Sequence, residues 1–273
     1  MPVYKVRPKA EAYGYCVGIL LLEYSAPFVP GDVGNATTYD YPVLFKTVPG
    51  ATSERVFAAD PELEPAIVKA AQELEAQGVK AISSDCGFFM NYQDLVARSV
   101  NIPVAMSSLL QVPFVASFLG KKRSIGVITA SGRSLGNRVL ELAGVDPSTN
   151  VVVRGMEDQP YFEKTILKEA EELDTDKIEK ETVAVAKKMV KDNPDMGAII
   201  MDNAIVHSNT IIAAGAVVLE GTICEAGSIY AGIPAKKVKA IEAPQISGEI
   251  NRIANNYLKY ANWFKGQSGT ERS

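Results

Sequence analysis

The chain has 273 residues, of which 47% are hydrophobic and 22% charged, and its net charge is −4. A chain of this length and apolar content can bury one large core or two modest ones. Because the charges nearly balance and no block of Lys and Arg occurs, we expect no nucleic-acid partner. The apolar run at residues 17–22 is too short to span a bilayer, so we expect a cytoplasmic protein without a membrane partner.

Three cysteines and one histidine limit the kinds of site that this chain can build. Cys16, Cys86 and Cys224 form an odd set without paired spacing, so a disulfide framework is not expected. A zinc site needs at least three protein ligands, and His207 is the single histidine. We therefore expect no metal, and we expect His207 to be a solvated corner residue.

Up to about residue 200, short apolar runs alternate with longer amphipathic ones. The runs predict strands at residues 15–22, 43–45, 79–83, 102–105, 124–129 and 151–153. The amphipathic stretches predict helices at residues 61–77, 108–119, 133–143 and 175–191, the last of them capped by Asp174. This alternation predicts an α/β fold with a parallel sheet covered on both faces. Ligands of such sheets bind in the turns after the strands, which singles out the turns at 84–87 and 129–132.

Near residue 197 the pattern changes to a six-residue repeat. Aliphatic residues recur at positions 199, 205, 211, 217, 223 and 229, and Gly or Asn recurs at the same interval from position 203. A six-residue period fits neither an amphipathic helix nor an alternating strand, and it predicts a short left-handed parallel β-helix over residues 197–240. Residues 245–265 are predicted to form a closing α-helix, and residues 266–273 a disordered tail.

The first part of the chain resembles the aspartate/glutamate/hydantoin racemase superfamily over about residues 14–201. The resemblance is carried by the stretches at residues 17–20, 30–35, 81–88, 107–111, 126–130 and 155–160. It implies two pseudo-symmetric α/β halves and a reaction on an amino acid or related small carboxylic acid, without metal or other cofactor. We assign residues 1–196 to this domain.

Members of that family place one thiol on each side of the substrate Cα, one acting as base and the other as acid. The resemblance implies that Cys86 is one of this pair. It also implies that the substrate carboxylate is held by backbone N–H groups and hydroxyls of Ser84, Gly87, Thr129 and Ser131. Two alternatives stay open: Cys86 as an ordinary packed thiol, and Thr129 and Ser131 as caps of the following helix.

Two positions depart from the racemase pattern. Asp85 stands where a neutral Ser, Thr or Asn is usual, and a carboxylate there would disfavour the neighbouring thiolate and repel an anionic substrate. Asn203 stands where the second thiol should follow its strand, and an amide exchanges no proton at neutral pH. We therefore expect an incomplete second half and an impaired racemase.

From Met196 onward the chain resembles the carboxyl-terminal end of γ-class carbonic anhydrase-like proteins. The matching stretches are residues 196–203, 213–218, 232–238 and 253–257. That family is trimeric and binds zinc through three upstream histidines, none of which is present, so we expect no carbonic anhydrase activity. The two resemblances indicate a chimera with its junction near Met196. The alternative to an impaired racemase is a non-catalytic binding or assembly protein. We expect a homo-oligomer, either a trimer through the tail or a racemase-type dimer.

Overall fold

The computed structural model describes residues 11–119, 122–200, 205–206, 211–212, 223–225, 227–231 and 235–240. The chain divides into two compact units, one with the described residues up to Ile200 and the other with the described strands from Ile205 onward. Asn203, His207, the predicted helix at 245–265 and the predicted tail at 266–273 lie outside the described residues. In the described part of the chain, no helix has both the length and the apolar composition needed to cross a membrane.

The first sheet of the larger unit has three parallel strands in the order β2-β1-β3. They are β1 (Val17–Leu21), β2 (Val43–Thr47) and β3 (Ala81–Ser84). Helix α2 (Glu64–Ala76) covers the sheet with a buried face formed by Ile67, Ala70, Ala71 and Leu74. The predicted start at Pro61 is a 3-10 turn capped by Asp60, and Gly78, at φ +88°, follows the end of the helix.

The second sheet has three parallel strands in the order β5-β4-β6. Strand β4 (Ser124–Thr129) is buried along its whole length, between β5 (Val151–Gly155) and β6 (Met196–Ile200). The long charged helix predicted after Asp174 is confirmed over Thr175–Asp192, and the Asp174 carboxylate accepts the N–H groups of Asp176 and Lys177.

Four further α-helices pack around these sheets, together with a short helical segment. The helices are α1 (Ser53–Phe57), α3 (Gln93–Ser99), α4 (Gln111–Leu119) and α5 (Asn137–Leu142). The short segment is α6 (Pro160–Phe162), which continues as a π-helical turn over Glu163–Leu167, and the long helix at Thr175–Asp192 is α7. One hydrophobic core joins the two sheets, with buried members that include Leu20, Phe89, Val127 and Ile200. The predicted α/β architecture with parallel sheets is confirmed.

Two local predictions are wrong. The strand predicted at 102–105 is a single bridge between Ile82 and Val104, because Pro103 has no N–H with which to extend a ladder. The helix predicted from Arg133 begins only at Asn137, because residues 131–134 form a separate turn closed by the Ser131 hydroxyl.

The second unit is described by five short strands: β7 (Ile205–Val206), β8 (Ile211–Ile212), β9 (Ile223–Cys224), β10 (Ser228–Ala231) and β11 (Lys236–Ala240). Strand β7 pairs with β9 and β8 pairs with β10, both in parallel, while β11 pairs with β10 in antiparallel fashion. The left-handed β-helix over 197–240 stays a prediction, since most residues between these strands lie outside those described. Strand β6, at the start of that range, pairs within the larger unit.

Candidate active site

A cavity of about 170 Å³ lies in the larger unit, at the carboxyl ends of its strands. The loop after β1 supplies Leu22, Tyr24, Phe28 and Asp32 to its wall, and the turn after β3 supplies Asp85, Cys86 and Gly87. The end of β4 and the helical segments after β5 complete the wall with residues that include Thr129, Met156 and Phe162. Loops after parallel strands usually form ligand sites, so this cavity is the candidate active site.

The sequence-predicted site residues divide into two groups. Cys86, Gly87 and Thr129 line the cavity together. Ser84 does not, because its hydroxyl donates to the backbone oxygens of Met106 at 2.6 Å and Cys86 at 3.1 Å. The Ser131 hydroxyl accepts the backbone N–H of Ser134 at 3.2 Å, so it closes the turn after β4; it does not cap α5, which begins at Asn137 after Gly136. These two hydroxyls hold the shape of the turns beside the cavity.

The turn after β4 already holds a carboxylate of the protein itself. Glu157 accepts the backbone N–H groups of Gly132 at 2.9 Å and Arg133 at 3.0 Å, and its side chain is only 11% exposed. A Cβ on Gly155 would overlap both this carboxylate and the backbone nitrogen of Gly132. The N–H groups of Gly132 and Arg133 therefore already donate to Glu157, and a substrate carboxylate would need other donors.

Asp85 connects the turn that carries Cys86 to the end of β1. Both of its carboxylate oxygens accept the backbone N–H of Leu22, at 3.1 and 3.0 Å, and its own N–H donates to the Leu20 carbonyl at 3.0 Å. Burial raises the pKa of Asp85 to about 7, nearby Asp32 adds to the shift, and the Leu22 N–H opposes it. A group with this pKa changes charge near neutral pH.

Asp32 supplies a second acidic group to the cavity wall. Its carboxylate accepts the Gly34 N–H at 2.7 Å, and burial raises its pKa against the opposing effect of that N–H. Asn35, in the same loop, donates to the Phe28 carbonyl at 2.7 Å and caps the short 3-10 helix that follows. Asn35 therefore shapes the loop, whereas Asp32 also reaches the cavity.

Aromatic rings form much of the remaining wall. Tyr24 and Phe28 meet edge to face with centroids 6.1 Å apart, and Phe57 and Phe88 lie 4.3 Å apart. The Tyr24 hydroxyl donates to the Ile166 carbonyl at 2.7 Å, and burial raises its pKa, so it remains a neutral phenol. Sequence reasoning missed these residues, since the loop at 24–32 has no periodicity; its aromatic residues between prolines were the available signal.

The arrangement combines one thiol with two acidic groups in a largely apolar enclosure. None of the described residues that line the cavity is basic. Such a wall disfavours a substrate with two negative charges, because each would lose hydration without gaining a countercharge. It favours a substrate that carries a positive group, because the acidic side chains supply the countercharge.

No family model matches this chain. Curated relatives include dimethylsulfoniopropionate lyase 7 of Emiliania huxleyi, 34% identical over 180 residues, which are 64% of this chain and 52% of the relative. A dimethylsulfoniopropionate lyase of Durusdinium sp. clade D is 33% identical over 193 residues, 68% of this chain and 64% of the relative. The chain thus spans between about half and two thirds of the length of these two relatives.

Similar solved structures are more distant. Unliganded arylmalonate decarboxylase has a TM-score of 0.43 and 16% identity, over 68% of this chain and 77% of that one. An aspartate racemase homologue from Pyrococcus horikoshii has a TM-score of 0.42 and 19% identity, over 68% of this chain and 84% of that one. A hexapeptide transferase family protein from Anaplasma phagocytophilum has a TM-score of 0.23 and 30% identity, over 25% of this chain and 41% of that one.

The racemase function expected from the sequence is wrong. Curated relatives that are 31–36% identical to this chain are named dimethylsulfoniopropionate lyases, which are enzymes of a different reaction class. The similarity to proteins named lyases also speaks against the alternative of a non-catalytic assembly protein. A chain with racemase-like sequence motifs is therefore similar in sequence to proteins that are named lyases.

Proposed function

We propose that this chain cleaves dimethylsulfoniopropionate into dimethyl sulfide and acrylate by β-elimination. The observation that carries the proposal is Cys86, a thiol in a cavity whose described wall contains two acidic groups and no basic one. The substrate is taken from the names of the curated relatives, which are 33% and 34% identical to this chain. A small carboxylic acid with a positive sulfonium group fits the charge of that wall.

Elimination differs from racemisation in the number of proton-transfer groups that it requires. Inversion at Cα needs a donor and an acceptor on opposite faces of one carbon, so it needs two such groups. In an elimination the electron pair released at Cα forms the new carbon–carbon double bond as sulfur leaves with the Cβ–S pair, so no second proton is delivered to Cα and one base suffices. Asn203 at the expected second position is therefore no obstacle to a lyase.

The chemical step balances with Cys86 as the base. The acidic wall disfavours the Cys86 thiolate, and the positive charge of the bound sulfonium compensates by favouring it. The thiolate takes a proton from the carbon next to the substrate carboxylate, and the C–H electron pair becomes the carbon–carbon double bond. The bond between Cβ and sulfur breaks, and sulfur keeps its electron pair and leaves as neutral dimethyl sulfide. The second product is acrylate, and the Cys86 thiol returns its proton to water before the next turnover.

Gly87 and Thr129 are the proposed partners of the substrate carboxylate. Both line the cavity beside Cys86, and a backbone N–H and a hydroxyl are donors that stabilise an anion without adding charge. Negative charge spreads from Cα onto this carboxylate as the proton leaves, so the donors act most strongly in the transition state. Ser84 and Ser131 take a positioning role, because their hydroxyls bond within the protein.

Headspace gas chromatography tests the proposal. The purified chain is incubated with dimethylsulfoniopropionate, and dimethyl sulfide and acrylate are measured over time. We expect equimolar release by the wild type and by Cys16→Ala, whose thiol lies at the amino end of β1, away from the cavity. We expect Cys86→Ala to lose at least about a hundredfold in rate, since a general base contributes about 10² to 10⁴-fold. A Cys86→Ala variant that releases dimethyl sulfide at the wild-type rate refutes the role of this thiol.

For the second unit, we propose that the strands from Ile205 onward belong to a short parallel β-helix. The spacing of the paired residues supports this, because Ile205 pairs with Ile223 and Ile211 with Ile229, each 18 residues further along. Eighteen residues correspond to three faces of six residues, which is one coil of such a helix. The antiparallel β11 would then close the last coil. Light scattering on the purified chain tests the expected oligomer, and a monodisperse monomer would contradict it.

A further inference from the structure

We propose that Tyr24, Phe28 and Asp32 form a subsite that selects onium groups, and that the dimethylsulfonium end of the substrate binds there. This inference rests on the proposed function for the identity of its natural ligand. It deepens that function, because it assigns substrate selectivity to the loop after β1 rather than to the turn that carries Cys86. Its test is a binding measurement that requires no turnover.

Hydrogen bonds within the loop at residues 24–35, and one from the loop to Ile166, hold it in the conformation that lines the cavity. The Tyr24 hydroxyl donates to the Ile166 carbonyl at 2.7 Å, across 142 positions of sequence. The Asn35 amide donates to the Phe28 carbonyl at 2.7 Å, and the Gly34 N–H fixes the Asp32 carboxylate at 2.7 Å. The loop therefore presents two rings and one carboxylate without needing a ligand to order them.

An onium group makes unusual demands on its binding site. Its positive charge is spread over methyl groups, and it has no N–H or O–H with which to donate a hydrogen bond. Such groups are bound by the negative faces of aromatic rings, assisted by a nearby carboxylate that need not touch the cation. The edge-to-face pair of Tyr24 and Phe28, beside Asp32 in one cavity wall, matches these demands.

The charge of the wall strengthens the selectivity. Asp85 is the second acidic group, and none of the described lining residues is basic, so a cation gains from each carboxyl that is ionised and in turn favours that ionisation. Tyr24 adds a neutral ring, because its hydroxyl is committed to the Ile166 carbonyl. A neutral group of the same size would fill the space but would gain nothing from the rings or the carboxylates.

Isothermal titration calorimetry with two isosteric acids tests the subsite. One is 3-(trimethylammonio)propanoate, which keeps the positive charge but has a poorer leaving group. The other is 4,4-dimethylpentanoate, in which a neutral tert-butyl group replaces the cation. We expect the wild-type chain to bind the charged acid at least tenfold more tightly than the neutral one. Equal affinity of the two acids for the wild type would overturn the proposal.

Two variants of the subsite and one control variant test which residues cause the preference for the charged acid. We expect Asp32→Asn and Phe28→Leu each to reduce the ratio of the two affinities at least threefold. Asp40→Asn is the matched control, since Asp40 is an exposed acidic residue of the same segment that does not line the cavity, and it should keep the ratio. If Asp32→Asn fails to fold by circular dichroism, Phe28→Leu and the neutral acid still decide the question. An unchanged ratio in Phe28→Leu would place the selectivity outside this loop.

The outcome separates the subsite from the lyase reaction. A charge preference with no release of dimethyl sulfide keeps the subsite and rejects the proposed reaction. Release of dimethyl sulfide without a charge preference keeps the reaction and rejects the subsite.

Discussion

The carboxylate of Asp85 accepts the backbone N–H of Leu22 through both of its oxygens, at 3.1 and 3.0 Å, and so fastens the turn that carries Cys86 to the end of β1. Cys86 is the next residue along the chain, and its position in the cavity depends on this connection. Residues 24–35, which follow Leu22, begin from the same anchored strand end. The acidic residue that departs from the racemase pattern thus orders the candidate site.

Asp85 should make the stability of the fold depend on pH. Its pKa is raised from 3.8 to about 7, so the folded protein binds this proton more tightly than the unfolded chain. The resulting stabilisation is complete below about pH 4 and is lost as the pH rises through about 7. Asp85→Asn keeps an oxygen acceptor for Leu22 and removes the ionisation. We expect it to exceed the wild type in free energy of unfolding at pH 8, by at most about 4 kcal/mol, and to differ little at pH 4.

Urea denaturation at pH 4, 6 and 8 measures this effect. The exposed Asp40→Asn is the control, and its difference from the wild type should stay near zero at every pH. A difference in free energy of unfolding between Asp85→Asn and the wild type that stays constant from pH 4 to pH 8 would contradict this expectation. It would show that the Asp85 carboxyl titrates in the folded protein as it does in the unfolded chain.

Glu157 should contribute to stability through the turn that it caps. Glu157→Ala leaves the N–H groups of Gly132 and Arg133 without their acceptors, and we expect a loss of about 1–3 kcal/mol in free energy of unfolding. Glu141→Ala, at an exposed position of α5, should change this quantity by less than about 0.5 kcal/mol. Chemical denaturation of the three proteins provides the comparison. Equal stability of both variants would mean that water replaces the Glu157 carboxylate without loss.

A side chain at Gly155 should disturb the same turn from the opposite side. A Cβ there would overlap the Glu157 carboxylate and the Gly132 backbone nitrogen, whereas a Cβ on Gly136 would meet no atom within 4 Å. We expect Gly155→Ala to lower the free energy of unfolding by about 2 kcal/mol or more, and Gly136→Ala to change it by less than about 1 kcal/mol. Thermal unfolding followed by circular dichroism ranks the two variants. The reverse order would contradict the close approach of the two backbones.

Ser84 and Thr129 should behave differently although the sequence suggests the same role for both. Ser84→Ala removes a hydroxyl that bonds to the Met106 carbonyl, so we expect about 1 kcal/mol of lost stability and a changed kcat at nearly constant KM. Thr129→Val removes a hydroxyl from the cavity wall at constant shape, so we expect a lowered kcat together with a raised KM and little loss of stability. Steady-state kinetics of dimethyl sulfide release by the Ser84→Ala and Thr129→Val variants distinguish the two roles. A raised KM in Ser84→Ala would return Ser84 to the substrate contacts.

The turns that line the cavity could be predicted from sequence, because the local sequence patterns there agree with the fold. Alternating apolar and amphipathic runs identify the strands that end at Ser84 and Thr129, and Asp174 identifies the start of its helix. The roles of Ser84 and Ser131 could not be predicted, because a hydroxyl in a turn can face either a substrate or its own backbone. Tyr24 and Phe28 reach the cavity through a loop conformation that depends on a long-range hydrogen bond to Ile166 and a local one from Asn35, which no periodicity encodes. The difference between the expected racemisation and the proposed elimination has a chemical reason, since both reactions begin with the same removal of a proton.

The central claim is that Cys86 removes a proton from the carbon next to the substrate carboxylate while the bond between Cβ and sulfur breaks and dimethyl sulfide leaves. It is tested most directly with dimethylsulfoniopropionate deuterated at that carbon, compared with the undeuterated compound in headspace measurements on the wild type and Cys86→Ala. We expect the wild type to release dimethyl sulfide more slowly from the deuterated compound, by at least about twofold, and Cys86→Ala to release neither above background. Equal rates for wild type and Cys86→Ala would contradict the claim.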